Sequence, residues 1–472
     1  MSLHTLLATL LLTLLSCSLG AQPPQLKRGV NLSSSYANVP ILPYLYRWPT
    51  TTDPTDDRDF QNIASAGFDH VRLPVHFFIQ TPGFGVSLDK LPVDYAAAKT
   101  FLDALTVENS DAGRRWRVFD MVMQAPAKRG LTLVIDMHYD RATEEAIEAS
   151  PLYLQKLVTL WTWVADRYVN KYKLQPHQLV FELLNEPRFD AATARSVYTP
   201  FLQQAIRAIR GKVGSDYVIL IQPPMFGLGT LTEPSIDPRV IAPNDPLVWY
   251  AAHFYDPFVI THQGYQYLYW NRAQRLTSRV MNLPYPAALA KGRPVCMGLP
   301  ATSYPKGVPL DNCIYILPGQ ITADEARAQL QAYIDQDWGP ARIRESLRFY
   351  REWADTFGVK LIVNEFGAVD ATTINADMET GLPRRYGPEP QYKMNWLKDV
   401  REALEYHGLG WTVWDYAGGF QITYKVGATW NDNGFRRWDW SVPASTTNPR
   451  AQNPRFEMFW ALGMKLPTAP SH

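Results

Sequence analysis

Eight short apolar runs, each ending near a polar residue, constrain this chain more than any other feature. They span residues 28–32, 70–75, 131–138, 178–185, 217–222, 247–253, 360–365 and 410–415. Several are nearly continuous, such as Leu131-Thr132-Leu133-Val134-Ile135 and Tyr217-Val218-Ile219-Leu220-Ile221. That is the pattern of a strand covered on both faces. Amphipathic stretches alternate with them at 58–66, 116–129, 153–171, 198–213, 323–336, 343–357 and 392–407. Gly67, Gly130, Gly358 and Gly408 stand just past four of these, where a helix ends in a left-handed cap. The alternation is that of a parallel sheet wrapped by helices. Eight repeats predict an α/β fold: a single (β/α)8 TIM barrel with long βα loops.

A chain of 472 residues has room for two or three domains, yet no Ser/Thr/Pro-rich linker or internal repeat divides it. The longest excursion, 256–321, reads as an elaborated loop with little regular structure. The tail after Asp415, with Trp430, Trp438 and Trp440, is expected to begin as the eighth βα loop and then pack on the barrel. At the other end an apolar run, Leu6 to Leu15, precedes the small residues Ser16, Cys17, Ser18, Gly20 and Ala21. This layout predicts a signal peptide over 1–20, with 21–472 as the barrel domain, secreted or periplasmic. Leu14-Leu15-Ser16-Cys17 also resembles a lipobox, so a form anchored by lipid at Cys17 is the alternative. Beyond that segment only Cys296 and Cys313 remain, 17 positions apart. In an exported protein such a pair reads as one disulfide, two unpaired thiols being the alternative.

Charge excludes one class of partner. Lys and Arg total 46 against 45 Asp and Glu, with no long block of either sign, so no nucleic acid is expected to bind. The apolar run is too short to span a bilayer, so no stable membrane insertion is expected either. A monomer is expected.

In such a barrel the carboxyl ends of the strands converge on one face. The residues delivered there are Arg72, His138, Asn185, Glu186, His253, Tyr255, Glu365 and Trp414. Two carboxyl groups roughly 5–5.5 Å apart suffice to hydrolyse an acetal with retention, one attacking the anomeric carbon and one protonating the leaving oxygen. Glu186 and Glu365 stand on strands four and seven, which face one another across a small barrel. Arg72 or Tyr255 bonded to Glu365 would keep it ionised, and Asn185 is placed to hold a sugar hydroxyl. His138 and His253 read equally as core hydrogen-bonding groups. Trp414 reads as core packing or as a platform for a pyranose ring, and Trp48, Trp430, Trp438 and Trp440 suit a sugar-lined cleft. An ion held by His138, Asp140 and His253 is the metal alternative, but strand one ends in Asn31-Leu32-Ser33 without a His-x-His pair. No metal site is expected.

The ordered motifs resemble those of glycoside hydrolase family 5, the cellulase family. They are Arg28-Gly29-Val30-Asn31-Leu32, Gly67-Phe68-Asp69-His70-Val71-Arg72-Leu73-Pro74-Val75, Asp136-Met137-His138, Phe181-Glu182-Leu183-Leu184-Asn185-Glu186-Pro187, His253-Phe254-Tyr255-Asp256-Pro257, Asn364-Glu365-Phe366-Gly367 and Trp411-Thr412-Val413-Trp414-Asp415-Tyr416. The resemblance implies Glu186 as acid/base and Glu365 as nucleophile. Arg72, His138, Asn185, His253, Tyr255 and Trp414 become the groups around substrate, with no cofactor. It also implies a β-linked polysaccharide as substrate. An endo-β-1,4-glucanase is the leading expectation; β-mannanase, β-1,3-glucanase, exo-acting β-glucosidase and a silent carbohydrate-binding barrel are the alternatives. The long loops 80–115 and 256–321 depart from plainer members and bear on endo against exo action.

Overall fold

The computed structural model describes residues 23–32, 58–78, 84–107, 109–139, 141–224, 237–265, 276–298, 312–317, 321–369, 374–376, 383–385, 387–416, 419–424, 428–430, 436–438, 453–454 and 456–466. The signal segment with Cys17, and also Trp48, Asp140 and Trp440, lie outside the described residues.

Eight parallel strands close into a barrel in chain order. They are β1 (Arg28–Asn31), β2 (His70–Val75), β3 (Thr132–Met137), β4 (Leu179–Glu182), β5 (Val218–Ile221), β6 (Val248–His253), β7 (Leu361–Phe366) and β8 (Gly410–Val413). A helix follows each: α1 (Arg58–Ala66), α2 (Asp111–Lys128), α3 (Pro151–Ala165), α4 (Thr199–Val213), α5 (Pro238–Ile241), α6 (Pro340–Phe357), α7 (Pro390–Tyr406) and α8 (Phe456–Ala461). Local chemistry explains the boundaries. Ser110 and Ser150 accept the N–H groups of Gly113 and Tyr153 to cap α2 and α3. Gly358 ends α6 at φ 63°, the left-handed cap expected of it.

All eight strands fall where the sequence places them, but most are shorter. The run 178–185 is strand only over Leu179–Glu182. Beyond it the backbone leaves the ladder, and the Glu186 N–H donates to Gln222 Oε1 at 2.9 Å. The stretch 153–171 is two elements, α3 and a π-helical turn over Asp166–Lys171. The loops are more structured than expected. Tyr95–Leu105 and Arg141–Glu148 are helices. The excursion folds a three-stranded sheet from Val280–Met281, Val295–Met297 and Ile314–Ile316, stapled by a Cys296–Cys313 disulfide. Its Val280, Tyr285, Ile314 and Ile316 join the same apolar cluster as the barrel's outer layer. The tail forms a ladder between Ala428–Trp430 and Arg436–Trp438. No helix among the described residues is long and apolar enough to cross a membrane.

Strand alternation sorts the side chains into two sets. Leu133, Ile135, Phe181, Ile219 and Val363 face the helices. Val134, Val180, Leu220, Ala251 and Ile362 meet inside the barrel. Two residues further along the same inward-facing rows come Asp136, Glu182, Gln222, His253 and Asn364, all buried. The interior therefore passes from apolar to polar along each of these strands. At the amino end His70 bridges Asp69 and Thr412, at 2.5 and 2.8 Å. It fills the space that Gly29 leaves empty.

A Cβ on Gly29 would fall 2.1 Å from His70 Nε2. Because His70 is held from both sides, it cannot yield. Gly29→Ala is expected to destabilise the fold by at least about 1–3 kcal/mol, read from urea unfolding midpoints. An unchanged midpoint would show that the ring moves.

Candidate active site

Arg72 projects from β2 into the polar end of the barrel and is fully buried. Its Nε and Nη2 engage the two oxygens of Glu182 at 2.7 and 2.9 Å. Nη1 donates to Asn31 Oδ1 at 3.0 Å and Glu365 Oε1 at 2.6 Å. Nη2 also lies 2.8 Å from Asn185 Oδ1 and 2.9 Å from Asp136 Oδ2. One planar fork thus binds groups from β1, β3, the end of β4 and β7.

Glu365 owes its direction to a register shift in β7. Val363 pairs with Ala252, but the next pair is Glu365 with His253, and the β8 side shows the same slip. Val363 faces the helices, so in an unbroken ladder of the same sequence Glu365 would face them too. The bulge turns it inward, as bulges beside functional sites do. There Tyr255 donates its hydroxyl to Oε2 at 2.9 Å. Gly367 follows because a Cβ would lie 2.0 Å from the Trp414 carbonyl oxygen.

Glu186 lies opposite, with φ 41°, a backbone region that side chains rarely adopt. His253 Nδ1 sits between the two acids, 2.8 Å from Glu186 Oε1 and 3.2 Å from Glu365 Oε2. Among the described residues, Glu186, His253 and Glu365 offer three ligand-type atoms within 4.8 Å of one another. One imidazole nitrogen within reach of both carboxyl groups accounts for that convergence. The metal alternative grouped His138, Asp140 and His253, a different set.

His138 and Trp414 form the rim. Their rings stack 5.8 Å apart at 18°. His138 Nδ1 is 3.1 Å from Asp136 Oδ2, and Nε2 is 3.4 Å from Asn185 Nδ2. Every site residue expected from the sequence is therefore at this one face. Trp414 touches the network through His138. Five participants were missed: Asn31, Asp136, Glu182, Gln222, which accepts the Glu186 N–H, and Asn364, whose Nδ2 donates to Glu182 Oε1 at 2.8 Å. The signal was available in strand alternation, since each sits on the inward parity of its strand.

The match to known proteins agrees with this geometry. The model of the Cellulase family, glycosyl hydrolase family 5, matches residues 28–313. This chain belongs to that family. Endoglucanase 3 of Fibrobacter succinogenes is 26% identical over 78% of the chain, which spans 46% of that protein's length. Endoglucanase C of Acetivibrio thermocellus is 24% identical over 76% of the chain and 83% of its own. Among solved structures, endoglucanase Cel5A of Thermotoga maritima shares the fold with a TM-score of 0.52 at 19% identity, covering 93% of this chain and 97% of that one.

In this family 5 site, burial shifts most of the acids upward. It pushes Asp136 to about 7 against the pull of Arg72, and raises Glu182 and Glu186 as well. Burial lowers His253 to about 4, despite the Glu365 charge beside it, so the ring is neutral at working pH. An unfolded imidazole titrates near ~6.5. The folded value being lower, His253 contributes stability that is complete above about 6.5 and is lost as pH falls toward 4. His253→Asn is therefore expected to flatten the fall of Tm over that window, read by calorimetry. Parallel Tm profiles for variant and parent would contradict it.

Proposed function

We propose that this chain is a retaining endo-β-1,4-glucanase in which Glu365 is the nucleophile and Glu186 the acid/base. The observation that carries the reading is the approach of the two carboxylates, oxygen to oxygen within 4.8 Å. Inverting enzymes need ~6.5–9.5 Å between carboxyl groups to admit a water. Arg72 and Tyr255 together orient the Glu365 carboxyl group, each through a hydrogen bond to one of its oxygens. Glu186 is a quarter exposed at the cleft, and burial raises its pKa, so it carries the proton for the leaving oxygen.

The reaction then runs in two displacements. Glu365 bonds to the anomeric carbon as the glycosidic bond breaks, and the Glu186 proton passes to the departing oxygen. Glu186, now a carboxylate, takes a proton from water, whose oxygen attacks the same carbon and releases Glu365. Asn185 stands beside the pair to hold the sugar's 2-hydroxyl, and the His138–Trp414 stack offers a flat surface to the ring. The names of the Fibrobacter and Acetivibrio relatives support glucan as substrate. The Cys296–Cys313 bond supports export to an oxidising compartment, with the first 20 residues as signal or with lipid on Cys17.

Reducing-sugar release from carboxymethylcellulose, barley β-glucan, laminarin, xylan and glucomannan tests the substrate, with Glu365→Gln as blank. Activity is expected on the first two and should fall at least about 1,000-fold in the blank. A blank keeping a tenth of the parent rate would sink the nucleophile assignment. NMR of the first product should show the β anomer; initial α product would overturn retention. Because Glu186 must be protonated to act and its pKa is raised, the alkaline limb of kcat/KM should lie above the ordinary carboxylate range. A limb inside that range would contradict the assignment.

A further inference from the structure

The loop that carries Glu186 is anchored two residues later. The Arg188 N–H donates to Glu148 Oε1 at 2.6 Å, and its guanidinium Nε lies 3.0 Å from Glu144 Oε1. Both acids belong to the helix Arg141–Glu148, inserted between β3 and α3. That helix is too short to persist alone in water, and its acids one turn apart repel each other. Arg188 is the cation that reconciles them. Glu186, meanwhile, holds a backbone angle that its own chemistry disfavours. On one side Gln222 accepts its N–H, and the Gln222 carbonyl is itself fixed by the Tyr198 hydroxyl at 2.8 Å. Arg188 supplies the other side.

We infer that Arg188 is a positioning residue for the acid/base step: clamped to Glu144 and Glu148, it fixes the strained turn at Glu186 and brings a cation to bear on that carboxyl. This rests on the reading of Glu186 as acid/base. The groups acting on Glu186 are His253 from β6, Asp136 from β3 and His138 just past it, Arg72 from β2, Glu365 from β7, Tyr255 and, on its own loop, Arg188. Burial raises the Glu186 pKa, and His138, Arg188 and Arg72 pull against it. Removing the Arg188 charge therefore raises the value further.

The test compares kcat/KM for cellohexaose, whose leaving group needs a proton, with dinitrophenyl cellobioside, whose leaving group does not. Arg188→Met is expected to lose on the order of 100-fold on cellohexaose and no more than about 3-fold on the aryl substrate. Its alkaline limb should move to higher pH, and Arg188→Lys should bring the limb back. Glu148→Gln, which keeps an oxygen for the Arg188 N–H, should show a smaller loss with the same selectivity. Equal losses on both substrates, or an unmoved limb, would overturn the inference. Glu186→Gln runs alongside: if it lacks the selectivity, the acid/base reading falls; if it alone shows it, only the role of Arg188 falls.

Discussion

Arg72 is the charge around which the carboxyl end of the barrel is built. A guanidinium sealed from water costs several kcal/mol unless its donors are all engaged. Here three carboxylates and two amide oxygens, from Glu182, Glu365, Asp136, Asn31 and Asn185, supply the partners. The dependence runs both ways. Those acids tolerate burial because the fork lies among them, and it is burial, with the Glu186 charge adding to it, that drives Asp136 up to about 7 against the pull of Arg72. A lysine would offer a point charge on a mobile stem and could not bind Glu182 through two atoms while reaching β1 and β7.

Much of this was legible in the chain. The strands were readable because buried parallel strands are written as apolar runs, and the helix ends because glycine marks them. Glu186 and Glu365 stood out because they come as a pair, each closing an apolar strand on opposite sides of the barrel. Glu182 and Asp136 were harder to see. Each sits inside a run that otherwise reads as core, and only the parity shared with Val180 and Val134 reveals that it faces the barrel axis. The left-handed turn at Glu186 and the slip in β7 leave no mark in composition or periodicity. They arise from how the ladder closes on its neighbours.

The loops were under-read for a related reason. Residues 256–321 are rich in proline and glycine, which reads as absence of order, yet their apolar residues add a three-stranded sheet to the barrel's own core. Arg141–Glu148 hides its helix behind an acidic pattern that looks solvent-exposed. Glu144 is instead buried, its charge directed at Arg188. In both places the ordering force comes from a distant segment, and local pattern reports only local forces.

The extra residue in β7 separates two properties that usually travel together. A shortened relative that deleted one position beside Asn364 would keep every residue type of the motif. Its glutamate would still face the barrel axis opposite His253, yet its asparagine would turn into the helix layer and lose Glu182. In this fold, counting residues from the strand start carries as much information about competence as matching letters does. A search for active homologues would gain from weighing single-residue gaps in this strand as heavily as the loss of an acid.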